Sequence, residues 1–246
     1  MNIPTNRHCT SGRTQKESWT IRSRFYFLFV IACVFWFMPF SVQAGELPTI
    51  SIGDSLPMPE NVSNLNESSV WIMGVGKGFR SGTHNVGVSA GVTYGVLIFG
   101  GEERHHLSLL SASYGQMISG VKGADSWYRG NWELRGEILG GMQFNSETSW
   151  LLGITQHVRY HFSTGAPWVP YADFGLGITA TEIREPDLGG SFQFNLQAII
   201  GVNYFVRDNL AVNFEGRYIH LSSAGFFEPN NGVNSIGIFL GVNTFF

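Results

Sequence analysis

Cysteine, basic residues and long apolar runs are all scarce in this 246-residue chain, and each shortage excludes a class of protein. Cys9 and Cys33 are the only cysteines. Both precede residue 45, so a chain cleaved near that point has no disulfide and no thiol chemistry. The main apolar run, Phe25 to Phe40, has about 16 residues, whereas a membrane-spanning helix needs roughly 20. A helical membrane protein is therefore not expected.

The shortage of basic charge argues against a nucleic-acid partner. Residues 1–44 hold five of the 15 lysines and arginines and one of the 18 acidic residues, which leaves the remainder with a formal charge of about -7. Nucleic-acid binding calls for clustered lysine and arginine. The sequence also contains no phosphate-binding P-loop and no dinucleotide fingerprint, so we expect no cofactor.

Residues 1–44 are predicted to be a secretory signal peptide. Basic residues come first, the apolar run follows, and Val42-Gln43-Ala44 supplies a cleavage site of small residues. The alternative is a permanent transmembrane anchor, which the short apolar run disfavours. The basic residues that form this positive region are Arg13, Lys16, Arg22 and Arg24, four of the five in residues 1–44.

The chain after the signal peptide divides into an N-terminal extension, residues 45–68, and a β domain, residues 69–246. The extension is rich in Pro, Asn and Ser without a sustained period. From Val86 onward the apolar residues recur with the period of two that is typical of strands. Eight strands are predicted, at 86–99, 104–117, 128–143, 150–162, 168–182, 191–206, 209–222 and 234–246. Eight is the smallest even number found in outer-membrane barrels.

The strand over 209–222 shows how the two faces differ. Its even positions are mostly apolar, whereas Asn213, Glu215 and Arg217 lie on the other face, because successive side chains point to opposite sides. The polar faces of the other strands carry both signs of charge, which can pair across a narrow lumen. We therefore expect an all-β, eight-stranded antiparallel transmembrane β-barrel with a polar interior. A secreted soluble sandwich or lipocalin-like barrel is the alternative.

Aromatic residues near the predicted strand ends support the membrane interpretation. Such residues form belts at the two membrane interfaces. The last strand ends at Phe246, which resembles the C-terminal assembly signal of bacterial outer-membrane proteins. The chain is therefore expected in the outer membrane. The predicted belt residues are Trp127, Tyr128, Trp150, Tyr160, Phe162, Trp168, Tyr204 and Phe246.

Some segments and polar residues receive a structural interpretation. Residues 69–79 lack clean alternation and are expected to form an extra segment and not a ninth strand. His157 and His161 share the polar face with Arg159 and are expected to lack neighbouring carboxylates, so they are interpreted as lumen residues and no metal site is predicted. The His106-Leu107-Ser108 triplet lacks a downstream glycine turn, and Asp187 to Gly190 is interpreted as a simple loop turn.

His220 and Ser222 lie on the apolar face of the predicted seventh strand, which requires an explanation. Arg207-Asp208 is a tight turn, and short turns in these barrels are periplasmic. A strand rising from it reaches His220 after about 13 residues, whereas spanning the bilayer takes only about 9 to 11. The two side chains are therefore expected at the outer leaflet, where lipopolysaccharide presents ester-linked acyl chains.

The stretch from Tyr218 to Phe246 resembles the end of the PagL family of lipid A deacylases. The matching residues are His220-Leu221-Ser222, Ala224-Gly225 and Pro229-Asn230-Asn231-Gly232. The resemblance implies an outer-membrane esterase that removes an acyl chain from the lipid A of lipopolysaccharide. Ser222 would be the nucleophile, His220 the general base and Asn234 the group that orients the histidine.

Two positions depart from that family pattern. Asn234 stands where the best-known members have an acid, and an amide fixes an imidazole tautomer without stabilising imidazolium by charge; Glu228 is an alternative orienting group. Ser223 replaces an asparagine, which leaves its hydroxyl or backbone N–H groups to stabilise the oxyanion.

The alternative function is a non-catalytic small barrel of structural or adhesive type; a ligand-carrying barrel fits a charged lumen less well. Whether the barrel forms a homo-oligomer stays open.

Overall fold

Eight strands form a closed antiparallel barrel in the computed structural model, which describes residues 69–246. Each strand pairs with its sequence neighbours, and β1 pairs with β8 to close the sheet. The predicted all-β, eight-stranded fold is confirmed; the predictions for residues 1–44 and 45–68 lie outside the described residues. The strands are β1 (His84–Gly95), β2 (Leu107–Met117), β3 (Gly130–Gln143), β4 (Trp150–Phe162), β5 (Trp168–Thr181), β6 (Phe192–Arg207), β7 (Leu210–Ser222) and β8 (Val233–Phe245).

The loop between β1 and β2 begins earlier than the apolar pattern predicts. β1 ends at Gly95 and not at residue 99, and the chain turns at Phe99 and Gly100. Phe99 and Gly100 have φ angles of 54° and 100°, which a strand cannot contain. This difference matters because the turn places the carbonyl of Ile98 beside the candidate site.

The outward face of the barrel is a continuous apolar surface. In β7, Val212 and Phe214 are exposed on the outside. Their neighbours Ala211, Asn213 and Glu215 are buried inside the barrel. Such an exposed apolar surface on a closed barrel is that of an outer-membrane barrel, in which every backbone group is paired within the sheet. Among residues 69–246, no helix is long and apolar enough to cross a membrane. Representative outward residues are Leu110, Ile138, Ile154, Ile200, Ile238 and Leu240.

The charged residues pair across the middle of the lumen, as predicted. Arg217 lies 2.7 Å from Glu137 through Nη1 and 2.6 Å from Glu215 through Nη2. On another wall, Arg159 Nε donates to Asp173 Oδ2 at 2.7 Å. All five side chains are almost completely buried. Buried charges require such partners, because an unpaired charge in a low-dielectric interior is costly.

His157 has carboxylate neighbours that its own strand does not supply. Its Nδ1 lies 2.7 Å from Asp173 Oδ1, and its Nε2 lies 2.9 Å from Glu137 Oε2. The expectation that this histidine lacks nearby carboxylates was wrong, because they come from β3 and β5, the two strands that pair with β4. His157 is a lumen residue. Within the described part of the chain, no group of three or more potential ligands is arranged to hold a metal.

Both ends of the lumen are apolar. The sequence had predicted a polar interior throughout, and only the middle of the lumen is polar. At the end beside the Arg207–Leu210 turn, Trp71 stacks on Phe79 with ring centroids 4.3 Å apart, and its Nε1 donates to the carbonyl of Asp208 at 2.7 Å. Residues 69–83 therefore close this end and add no ninth strand to the barrel. The opposite end, which carries the longer loops and is called the loop end below, is filled by Leu107, Leu109, Leu139, Leu151, Ile183, Leu188, Ile219, Leu221, Val233 and Phe239.

Replacing Glu137 by alanine should destabilise the barrel strongly, since the change leaves Arg217 buried without one of its two carboxylates. Breaking a buried pair in this way costs about 3–5 kcal/mol in the free energy of unfolding. Urea unfolding in vesicles, followed by tryptophan fluorescence, measures it. The control is Glu147→Ala on an exposed loop; equal unfolding midpoints for the two variants would contradict the role of the network.

Candidate active site

His220 and Ser222 lie on the outward face at the loop end of β7. Both are half-buried. Leu221 between them and Ile219 before them are buried and point into the lumen. Residues two apart on a strand share a face, with Cα atoms about 6.6–6.8 Å apart. The alternation of β7 therefore puts an imidazole and a hydroxyl next to each other on the wall that faces the lipid.

Asn234 lies opposite His220 in the β7–β8 register. Its Oδ1 is 2.8 Å from His220 Nδ1, and its Nδ2 donates to the carbonyl of Ile98 at 2.8 Å. Because the Ile98 carbonyl only accepts, the amide nitrogen must face it and the amide oxygen must face the histidine. The ring therefore carries its proton on Nδ1, and the lone pair on Nε2 is available to act as a base.

Tyr218 also contacts the amide of Asn234. Its hydroxyl donates to Asn234 Oδ1 at 2.7 Å, so this oxygen receives one hydrogen bond for each of its two lone pairs. Sequence reasoning missed the role of Tyr218. The signal for it was its position, two residues before His220 on the same face.

The four residues that follow β7 turn sharply beside the site. Ala224 and Gly225 have φ angles of 53° and 83°. Within residues 69–246, neither of their backbone N–H groups has a hydrogen-bond partner. Unpaired N–H groups in a turn two and three residues after Ser222 are of the kind that can receive a developing negative charge.

A groove of about 540 Å³ contains His220 and Ser222 on its wall. Within residues 69–246, the Ser222 hydroxyl makes no hydrogen bond. The fold therefore places Ser222 beside His220, but the two side chains are not hydrogen-bonded. Such contacts are often loose without substrate and tighten when it binds. The groove is lined by Phe99, Leu196, Tyr218, His220, Ser222, Asn230, Asn231 and Gly232.

Gly232 allows the ring of His220 to lie against the loop that follows β7. Its φ is +84°, and a Cβ atom there would lie 3.0 Å from His220 Cε1. An L-residue disfavours such a φ, and the ring would have to move away from the new methyl group. The glycine of the predicted turn thus lies so near the candidate base that a side chain there would crowd the ring.

Two supporting residues were predicted, Ser223 to stabilise the oxyanion and Glu228 to orient His220. Ser223 is buried, and its hydroxyl lies 3.0 Å from the carbonyl of Phe227 and 3.0 Å from Asn230 Oδ1. Its side chain therefore holds the loop together. Glu228 is exposed, and in the described part of the chain its carboxylate makes no hydrogen bond to His220, whose Nδ1 is already paired with Asn234.

The second His-Xaa-Ser triplet has a different environment. His106 Nδ1 accepts from the backbone N–H of Gly95 at 3.0 Å, and its ring contacts Tyr94 and Phe144. No side chain of residues 69–246 hydrogen-bonds its ring in the way that Asn234 does for His220. The structural interpretation of this triplet is therefore retained.

Comparison with known proteins points to one family. The family model described as lipid A 3-O-deacylase (PagL) matches residues 110–243. A search of curated proteins gave no match. Among solved structures, the outer-membrane enzyme PagL is 20% identical, with 64% of this chain and 97% of that chain covered and a TM-score of 0.47. Neisserial surface protein A is 21% identical, with coverages of 67% and 99% and a TM-score of 0.47. OprG from Pseudomonas aeruginosa is 12% identical, with coverages of 69% and 98% and a TM-score of 0.38.

Substituting alanine at Gly232 should displace the ring of His220 as well as strain the backbone. The backbone strain costs roughly 1–2 kcal/mol. Gly82→Ala is the matched control, since Gly82 has a φ of +86° and no atom lies within 4 Å of the position that a Cβ would take there. Both variants should lose similar stability in thermal unfolding, but only Gly232→Ala should shift the nitrogen-15 NMR signals of His220. Unchanged His220 signals would contradict the contact.

Proposed function

Since the chain belongs to the PagL family of lipid A 3-O-deacylases, we propose that it hydrolyses an ester-linked acyl chain of lipid A with Ser222 as the nucleophile. The family description assigns the 3-O position, and we extend that position to this chain. The observation that carries the proposal is the pairing of Asn234 with His220, beside Ser222, on the lipid-facing wall.

Proton transfer starts at His220. Its Nε2 takes the proton of the Ser222 hydroxyl while Oγ bonds to the ester carbonyl carbon. When the tetrahedral intermediate collapses, the same proton passes to the departing sugar oxygen. Ser222 is left as an acyl ester, which a water molecule hydrolyses with His220 again acting as base. The products are a free fatty acid and lipid A with a hydroxyl at the cleaved position.

The carbonyl oxygen becomes negative in the tetrahedral intermediate and needs donors. The backbone N–H groups of Ala224 and Gly225 are our candidates, because they are unpaired in the described chain and lie two and three residues after Ser222. Ser223 is less suited, since its hydroxyl is 3.0 Å from the Phe227 carbonyl. Preorganised donors of this kind are commonly worth about 10²–10³ in kcat.

The groove opens on the outside of the barrel, so substrate would arrive from the lipid and not through the lumen. Phe99 and Leu196 give it apolar sides, which suit an acyl chain. Tyr218, Asn230 and Asn231 add polar groups beside the reactive pair, which suit a sugar. The lumen, closed by apolar residues at both ends, has no part in the reaction.

Lipid A from Gram-negative cells that express the protein should lose one ester-linked acyl chain. Ser222→Ala should abolish this loss without changing insertion, because the side chain makes no hydrogen bond within residues 69–246. Mass spectrometry of lipid A and heat-modifiable migration on gels measure the two effects. Ser108→Ala is the matched control, a serine from the other His-Xaa-Ser triplet. An unchanged acyl pattern with properly inserted wild-type protein would favour the non-catalytic barrel.

Asn234→Asp should lower activity although it introduces an acid. The aspartate would place an oxygen against the Ile98 carbonyl, where the amide now donates at 2.8 Å. Losing this partly buried hydrogen bond and placing two acceptor oxygens against each other costs roughly 1–3 kcal/mol. Activity then falls about 5- to 150-fold if the base is displaced. Deacylation rates of purified protein in mixed micelles measure it. Activity at or above that of wild type would show that the Ile98 contact does not constrain this position.

A further inference from the structure

Asp187 is a buried acid that the mechanism does not use. Its Oδ1 accepts from the backbone N–H of Glu102 at 2.7 Å, and its Oδ2 accepts from that of Glu103 at 3.0 Å. Oδ2 also lies 2.8 Å from His105 Nε2, whose other ring nitrogen is 2.8 Å from Gln143 Oε1. Its carboxylate therefore fastens the β5–β6 loop to the β1–β2 loop.

The backbone of Asp187 contacts a third loop. Its carbonyl accepts from the N–H of Asn231 at 3.0 Å and from that of Gly232 at 3.2 Å. Both residues line the groove, and Gly232 is the residue against which the ring of His220 lies. Holding these two amides fixes the distance between the β7–β8 loop and the candidate base.

The β1–β2 loop reaches the site from the other side. It carries Ile98, whose carbonyl receives the Asn234 amide, and Phe99, which lines the groove. Asp187 thus connects the loop that orients Asn234 with the loop that packs on His220. Its own side chain is absent from the groove lining.

We propose that Asp187 is a positioning residue for His220 and Asn234, acting through these two loops. This inference rests on the proposed chemistry of Ser222. A carboxylate is required because three donors, two backbone N–H groups and an imidazole, converge on its two oxygens. An amide offers only one oxygen and turns an NH₂ group toward at least one of those donors. Asparagine at this position should therefore release the loops.

The test uses the full barrel in detergent and a fluorophosphonate probe that reacts with activated serines. The rate of Ser222 labelling is measured per folded barrel, with folding scored by heat-modifiable migration. Asp187→Asn should label at least about 10-fold more slowly than wild type, the effect of roughly 1.4 kcal/mol on a barrier. Glu182→Gln, an exposed acid on the same loop, should label like wild type. Hydrogen exchange at Asn231 and Gly232 should accelerate only in Asp187→Asn.

The outcomes separate positioning from mere folding. Faster exchange with an unchanged labelling rate would overturn the inference, and so would fewer folded barrels that each label normally. If Asp187→Asn does not fold, His105→Leu removes one donor and should slow labelling in the same direction; a wild-type rate would then overturn the inference. A wild-type protein that labels at Ser222 but leaves lipid A intact would reject lipid A hydrolysis alone, with Asp187 still judged by labelling. Absence of wild-type labelling would reject both.

Discussion

The pairing register between β7 and β8 is the constraint on which the candidate site depends. It sets His220 opposite Asn234, and a shift of one strand by one residue would turn its side chain to the lumen face and separate the two. The register is held from within, since Arg217 on β7 joins Glu137 on β3 and lies over the ring of Phe239 on β8. The buried ion pairs thus keep the outward residues in place.

The barrel and its loops contribute in different ways. The strands fix the backbone positions of His220, Ser222 and Asn234, because the hydrogen bonds between strands leave the backbone little freedom. The loops fix how the side chains point, through the Ile98 carbonyl and the backbone of Gly232. The paired charges in the middle of the lumen therefore act on stability, whereas the contacts at the loop end act on the geometry of the site.

Local alternation was enough to predict the eight strands, the outward face of His220 and the polar centre of the lumen. These features depend on residues close in sequence, which a period of two reports directly. The carboxylates around His157 were missed because they come from two neighbouring strands. Asp187 was interpreted as a simple turn, although it contacts residues more than 80 positions earlier in the chain. Contacts between loops leave no periodic signal, so they were beyond sequence reasoning.

Asn234 in place of an acid is consistent with its surroundings in this chain. A carboxylate has acceptors only, whereas this position needs a donor toward the Ile98 carbonyl and an acceptor toward His220. The amide supplies both and fixes the tautomer that leaves Nε2 free. It gives no charge to stabilise the imidazolium that forms during proton transfer, which an acid would supply. Tyr218 donates to the same oxygen, which makes that oxygen a weaker acceptor for the N–H of His220. The site therefore relies on orientation more than on charge, and orientation depends on the loops that hold Ile98 and Gly232.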